Sequence, residues 1–103
     1  FGPATLLVTA RDRAELLRAL ALVPGQLTAG IHGDASEVRA WKELLPMLEE
    51  KAGRLVWNGY PTGVEVSPAM LHGGPYPATT DSRVSSVGPS SIERFLRPVA
   101  YQN

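Results

Sequence analysis

Leu27-Thr28-Ala29-Gly30-Ile31-His32, followed by Gly33 and then by Asp34-Ala35-Ser36-Glu37, decides how the chain folds. The first six residues are an apolar, partly β-branched run preceded by Pro24-Gly25, which predicts a buried strand. Gly30 has no side chain to pack, so its place in the strand points to a close approach by another group. Asp34 with Glu37 three residues later has the spacing of a capping box and opens a helix. Val38, Trp41, Leu45 and Leu48 then recur at helical intervals. Pro46 falls inside that pattern and cannot donate a backbone hydrogen bond, which predicts a kink or a break. Lys51 near the end and Gly53 just after it suit a helix C-terminus.

The same grammar extends outward on both sides. Upstream, Thr5-Leu6-Leu7-Val8-Thr9 reads as a buried strand. Asp12 and Glu15 repeat the capping spacing, and Leu16, Leu17, Leu20 and Ala21 form one apolar helix face. Downstream, Arg54-Leu55-Val56-Trp57 reads as a third strand. Strand, helix, strand, helix, strand with short connections predicts an α/β fold: a three-layer βαβαβ unit with a parallel sheet and helical crossovers. Ligands of such sheets bind beyond the carboxyl ends of the strands. That rule nominates the stretch from Asn58 onward.

Residues 58–88 read as one long loop rich in Gly and Pro, with a turn near Pro68-Ala69-Met70-Leu71. A loop of this length inside a compact domain is functional or disordered, and this one carries too many apolar residues for a disordered linker. Thr79-Thr80-Asp81-Ser82-Arg83 is polar and turn-like, and Asp81 beside Arg83 is placed to form an ion pair. Pro89 suits the first position of a short helix through Phe95. Leu96 to Tyr101 reads as a final extended segment, and Pro98 places it at a sheet edge or facing a partner.

Composition excludes several functions. The 103 residues suit one small domain or part of a larger one. Ten basic and ten acidic residues cancel, so no basic stripe supports nucleic-acid binding and no polybasic segment supports membrane binding. There is no cysteine, hence no disulfide and no thiol nucleophile. His32 and His72 lie too far apart in sequence for a metal cluster. The chain begins Phe1-Gly2-Pro3 rather than with Met, which is expected of a processed chain or a piece of a longer one.

His72-Gly73-Gly74-Pro75 shares the His-Gly-Gly of oxyanion-hole loops in α/β-hydrolases, but the Gly-x-Ser-x-Gly elbow which that chemistry needs is missing. Ser82, Ser85, Ser86, Ser90 and Ser91 have no base partner nearby in sequence and read as turn and cap hydroxyls. Trp41 reads as a core residue, Trp57 as either core or site, and His32 as a strand end with a turn contact. His72 reads either as a structural, hydrogen-bonded histidine or as a ligand-facing one, since the glycines beside it let backbone approach a ligand.

The segments Phe1-Gly2-Pro3, Gly53 to Val66, His72-Gly73-Gly74-Pro75-Tyr76-Pro77-Ala78-Thr79, Asp81-Ser82-Arg83, Ser86-Val87-Gly88 and Arg94 to Asn103 together resemble the C-terminal part of an NAD(P)-dependent aldehyde dehydrogenase. The resemblance is closest to the branch acting on 2-oxoglutarate semialdehyde (2,5-dioxopentanoate) and on fatty aldehydes. It implies that residues 1–95 belong to the catalytic domain, with a site loop at 58–88, and that residues 96–103 form a strand joining a homo-oligomer. It implies that Phe1 packs near the nicotinamide of NAD or NADP. It places Asn58, Thr62, Gly63, Val64, His72 and Gly73 around the substrate pocket. His72 stands roughly where the wider family carries an aromatic residue, which makes the pocket more polar.

The activity implied for the intact oxidoreductase is oxidation of a small-molecule aldehyde to a carboxylate, in a cytoplasmic setting, with no nucleic-acid or membrane partner. The family's catalytic cysteine and glutamate would lie upstream, so this chain alone is expected to be inactive. The competing expectation is a stand-alone α/β binding or assembly module without catalysis.

Overall fold

The computed structural model describes residues 2–103. Phe1, to which the resemblance assigns the nicotinamide contact, lies outside the described residues.

Helix α1 spans Arg13–Ala21 and begins where Asp12 accepts a 2.8 Å hydrogen bond from the Glu15 amide. Glu15 does not close a capping box. Its carboxylate reaches past Asp12 to the amide and guanidinium of Arg11. Strand β1 spans Ala29–Ile31, and helix α2 spans Ala35–Ala40. At α2 the capping box is complete: Asp34 accepts from the Ser36 and Glu37 amides, and Glu37 accepts from the Asp34 amide at 2.8 Å. The break anticipated at Pro46 falls earlier, at Trp41–Glu43. After turns through Trp41–Glu43, helix α3 runs Leu44–Lys51, so Pro46 sits in a first turn where its missing N–H costs little.

Strand β2, Leu55–Trp57, pairs in parallel with β1 in the register Ala29↔Leu55, Gly30↔Val56 and Ile31↔Trp57. The parallel pairing and the helical crossover are as the sequence indicates. The third strand is not: Thr5–Thr9 pairs with nothing, and the sheet of the described residues has two strands. Leu6 and Leu7 are 88% and 85% exposed. A strand of this composition is held by burying both faces, and nothing among the described residues covers it. Residues 96–103 likewise form no strand among the described residues. Pro89–Phe95 is a 3₁₀ helix with its proline at the start.

The core is correspondingly small. Leu48 and Ala52 are the buried apolar side chains of the described residues, and Ser85 is the buried polar one. The Cα radius of gyration of 17.1 Å exceeds the roughly 13 Å of a compact 100-residue domain. The mixed α/β character is therefore present, built on a parallel two-stranded sheet. Lys51 joins the ends of α1 and α3 by donating to the Ala21 carbonyl at 3.0 Å. Arg13 ties the start of α1 to the end of α2, stacking 4.4 Å over the Trp41 ring and pairing with Glu43 at 2.8 Å. Trp41 is thus half-buried against a cation rather than enclosed in a core. Gly30 does not admit a neighbour: a Cβ there would meet open space.

Candidate functional site

Parallel pairing brings Ile31 and Trp57 side by side, and the chain after each leaves at the carboxyl end of the sheet. Asn58 continues the ladder there. Its amide donates to the Ile31 carbonyl at 2.9 Å, and its carboxamide pairs with both backbone groups of Gly33. Its φ of 46° is left-handed, a region that Asn tolerates better than most residues. Beyond Gly59 the loop turns back along β2. Arg54, just before β2, donates to the Gly63 carbonyl at 2.7 Å and also to the Pro61 carbonyl. The Thr62-Gly63-Val64 turn is therefore carried to the amino end of the strand, with Gly63 at φ 79°.

The His72–Tyr76 segment lies at that same end, which differs from the strand-end rule used on the sequence. Its backbone runs against backbone. A Cβ on Gly53 would stand 2.1 Å from the Gly73 oxygen, and one on Gly74 would stand 2.3 Å from the Gln26 oxygen. A Cβ on Gly25 would meet the Pro75 and Tyr76 oxygens. Gly73 and Gly74 are buried, so glycine is required here for close approach.

His72 is half-buried and held by two neighbouring serines. Its amide donates to Ser85 Oγ at 3.0 Å, and Ser85 in turn donates to the Val87 carbonyl at 2.6 Å. The His72 carbonyl accepts from the Ser86 amide at 3.1 Å and from Ser86 Oγ at 3.0 Å. Ser86 Oγ also lies 2.6 Å from His72 Nδ1. Ser85 and Ser86 are thus not free turn hydroxyls, and no local sequence pattern announces contacts spanning 13 and 14 residues.

Two open grooves meet at His72. One, of ≈ 590 Å³, runs between the 79–86 loop and the C-terminal segment and includes Asp81, Arg83, Glu93 and Arg94. The other, of ≈ 490 Å³, runs past Gly25, Leu27, Thr28 and Pro61. The structure therefore brings His72, Gly73 and the turn around Pro61 together, and leaves Asn58 at the opposite end of the strands. The expected ion pair is present: Arg83 contacts both Asp81 oxygens, at 3.0 and 2.9 Å. The Arg83 side chain, then its amide, holds the Asp81 carboxyl down at about 2. His32 approaches the Tyr60 ring with centroids 6.5 Å apart.

The turn after β1 does not fit a dinucleotide phosphate. The strand-to-helix turn after β1 offers no glycine-rich phosphate cradle. The α2 N-terminal amides are consumed by Asp34, whose own carboxylate would repel a phosphate. Among the described residues no cluster of His, Asp or Glu could hold a metal ion, and no helix is long and apolar enough to cross a membrane.

His72 and Pro61 border one groove, which joins the backbone-seated His-Gly-Gly loop to the segment that Arg54 clamps. Over its whole length the chain matches a segment of the aldehyde dehydrogenases. It is 58% identical over 103 residues to Alpha-ketoglutaric semialdehyde dehydrogenase of Acinetobacter baylyi. It is equally similar, at 58%, to Alpha-ketoglutaric semialdehyde dehydrogenase 2 of Azospirillum brasilense. The whole chain is covered in each comparison, and it spans 20% of the length of each relative. No protein-family model matches the chain.

Proposed function

We propose that this chain is the C-terminal part of an NAD(P)-dependent aldehyde dehydrogenase that oxidises 2-oxoglutarate semialdehyde, or a close analogue, to the carboxylate. The observation that carries the proposal is the 58% identity along the whole chain to two dehydrogenases named for that substrate. The chain's own part is to form a pocket wall from Thr62, Gly63, Val64, His72 and Gly73. Asn58, its carboxamide engaged by Gly33, shapes that wall from a distance. Aldehyde oxidation by this family begins with a thiolate nucleophile, and the chain has no cysteine. The nucleophile, the general base and the nicotinamide must come from elsewhere in the intact enzyme.

In that setting residues 5–9 take their place as a further strand of a three-layer unit, and residues 96–103 pair with a second subunit. The exposure of Leu6, Leu7, Phe95, Leu96 and Tyr101 supports both assignments. A stand-alone module would need a core of its own, and burial of Leu48 and Ala52 alone supplies little of one.

A chimera tests the proposal: these 103 residues replace the matching fifth of the Acinetobacter relative. The expected result is semialdehyde-dependent reduction of NAD or NADP by the chimera and none by the chain alone. A chimera that folds to the parental mass yet reduces neither coenzyme would overturn it.

A further inference from the structure

We propose that Arg54 is a positioning residue that selects substrates by length, by fixing the width of the groove between Pro61 and His72. Its guanidinium donates to the Pro61 and Gly63 carbonyls, the latter at 2.7 Å, and so grips the chain on both sides of Thr62. Its Nε is buried and has no hydrogen-bond partner. Among the described residues no carboxylate pairs with Arg54. Its side-chain hydrogen bonds therefore go to that turn alone, and its planar fork suits two carbonyls at once. The opposite side of the groove is fixed independently. The His72 backbone is held by Ser85 and Ser86, and Gly74 lies against the Gln26 carbonyl.

This groove, of ≈ 490 Å³, is bordered by no carboxylate, ammonium or guanidinium group. Leu27, Pro61, Pro77 and Ala78 give it apolar surface. Such a lining suits the aliphatic stem of a ligand. It disfavours an ionised end, which would lose water there without gaining a partner. Pro61 stands on the clamped turn, whereas Pro77 and Ala78 follow directly on the backbone-seated His72–Tyr76 segment. Arg54 thus sets how near Pro61 stands to the far side. A small displacement of the turn changes which stem fits, because a close-packed wall discriminates at the level of one methylene. The selecting role rests on the proposed function, in which the stem is that of the semialdehyde.

The test uses the chimeric dehydrogenase and a series of carboxylate-ended semialdehydes that differ by one methylene. The unsubstituted chimera should prefer one length over the next longer by about tenfold or more in kcat/KM, the worth of a methylene in a fitted pocket. Arg54→Met should shrink that ratio to about threefold or less, through KM, with kcat for the preferred length kept within about twofold. Arg54→Lys, which can reach one carbonyl at a time, should fall between the two. An unchanged ratio in Arg54→Met, an equal loss at every length, or an active chimera indifferent to length before substitution would each overturn the selecting role. Should Arg54→Met not assemble to the parental mass, the same ratio in Arg54→Lys decides. An unsubstituted chimera inactive toward every aldehyde overturns the proposed function and the selecting role with it.

Discussion

The carboxamide of Asn58 pairs with the backbone of Gly33 as if it were one more rung of the parallel ladder, donating to its carbonyl at 2.8 Å and accepting from its amide at 2.9 Å. The loop after β2 thus leaves the sheet from a fixed point. Asn58→Ala removes both bonds and puts a Cβ residue without a compensating side chain at a left-handed φ. The expected loss is about 1–3 kcal/mol, from two hydrogen bonds at about 1 kcal/mol each plus backbone strain. Asn58→Gly keeps the conformation without strain and should cost less. Urea denaturation of the two variants gives the order, and an Ala variant no less stable than the Gly variant would contradict it.

Two glycines of similar sequence context should respond oppositely to alanine. A Cβ on Gly53 collides with the backbone of Gly73, whereas one on Gly30 enters open space. Gly53→Ala therefore has to displace the His-Gly-Gly loop and should destabilise by about 1–3 kcal/mol or more, as overpacking does. Gly30→Ala should fall within about 0.5 kcal/mol of the parent. Thermal unfolding of the pair decides the point.

What was legible in the sequence follows from how local each determinant is. The helix starts at Asp12 and Asp34, the 3₁₀ helix from Pro89 and the Asp81–Arg83 pair depend on residues a few positions apart, and all are present; the interruption read at Pro46 falls a few residues earlier, at Trp41–Glu43. The parallel pairing of residues 29–31 with 55–57 follows from alternating elements and short connections. Thr5–Thr9 misled because apolar composition reports a wish to be buried, not the surface that buries it. Gly30 misled because a strand glycine is ambiguous without knowledge of what lies above it. Residues 58–88 were legible as a loop, through their glycines and prolines, but the seating of the His72–Tyr76 segment at the amino end of the strands was not. That seating depends on Arg54 reaching Pro61 and Gly63, and on backbone contacts between residues 25–26, 53 and 73–76, none of which leaves a periodic trace.

Arg54 should behave as the clamp of the Thr62-Gly63-Val64 turn. Its guanidinium binds two carbonyls of that turn. Arg54→Met keeps much of the packing and removes both bonds, at about 2 kcal/mol for the turn on the scale of hydrogen bonds from charged donors. Arg54→Lys should recover less than half, because a single ammonium does not reproduce the planar fork. Amide exchange at Gly59 to Val64 is the measurement. Faster exchange in both variants, larger in Met, is expected, and unchanged protection would show that the turn is held by something else.

The Asp81–Arg83 pair sets an acid limit for the loop that borders His72. Arg83 lowers the Asp81 pKa from 3.8 to about 2. A carboxyl depressed in the folded state favours folding fully above its unfolded value and loses that contribution as pH falls through the folded one. The window is therefore from about 4 down to about 2, and nothing from this pair changes near neutrality. Asp34, lowered by the Ser36 hydroxyl and the α2 amides, and Glu15, lowered by Arg11, act in the same direction. Because all three groups are at the surface, the loss on acidification should be gradual rather than a single cooperative step. Carbon NMR of the Asp81 carboxyl should titrate with a midpoint near 2, and Arg83→Ala should return it toward 3.8 while leaving Asp34 where it was. A midpoint for Asp81 that ignores Arg83 would mean that the pair does not hold the loop in solution, and that the groove beside His72 is open to rearrangement.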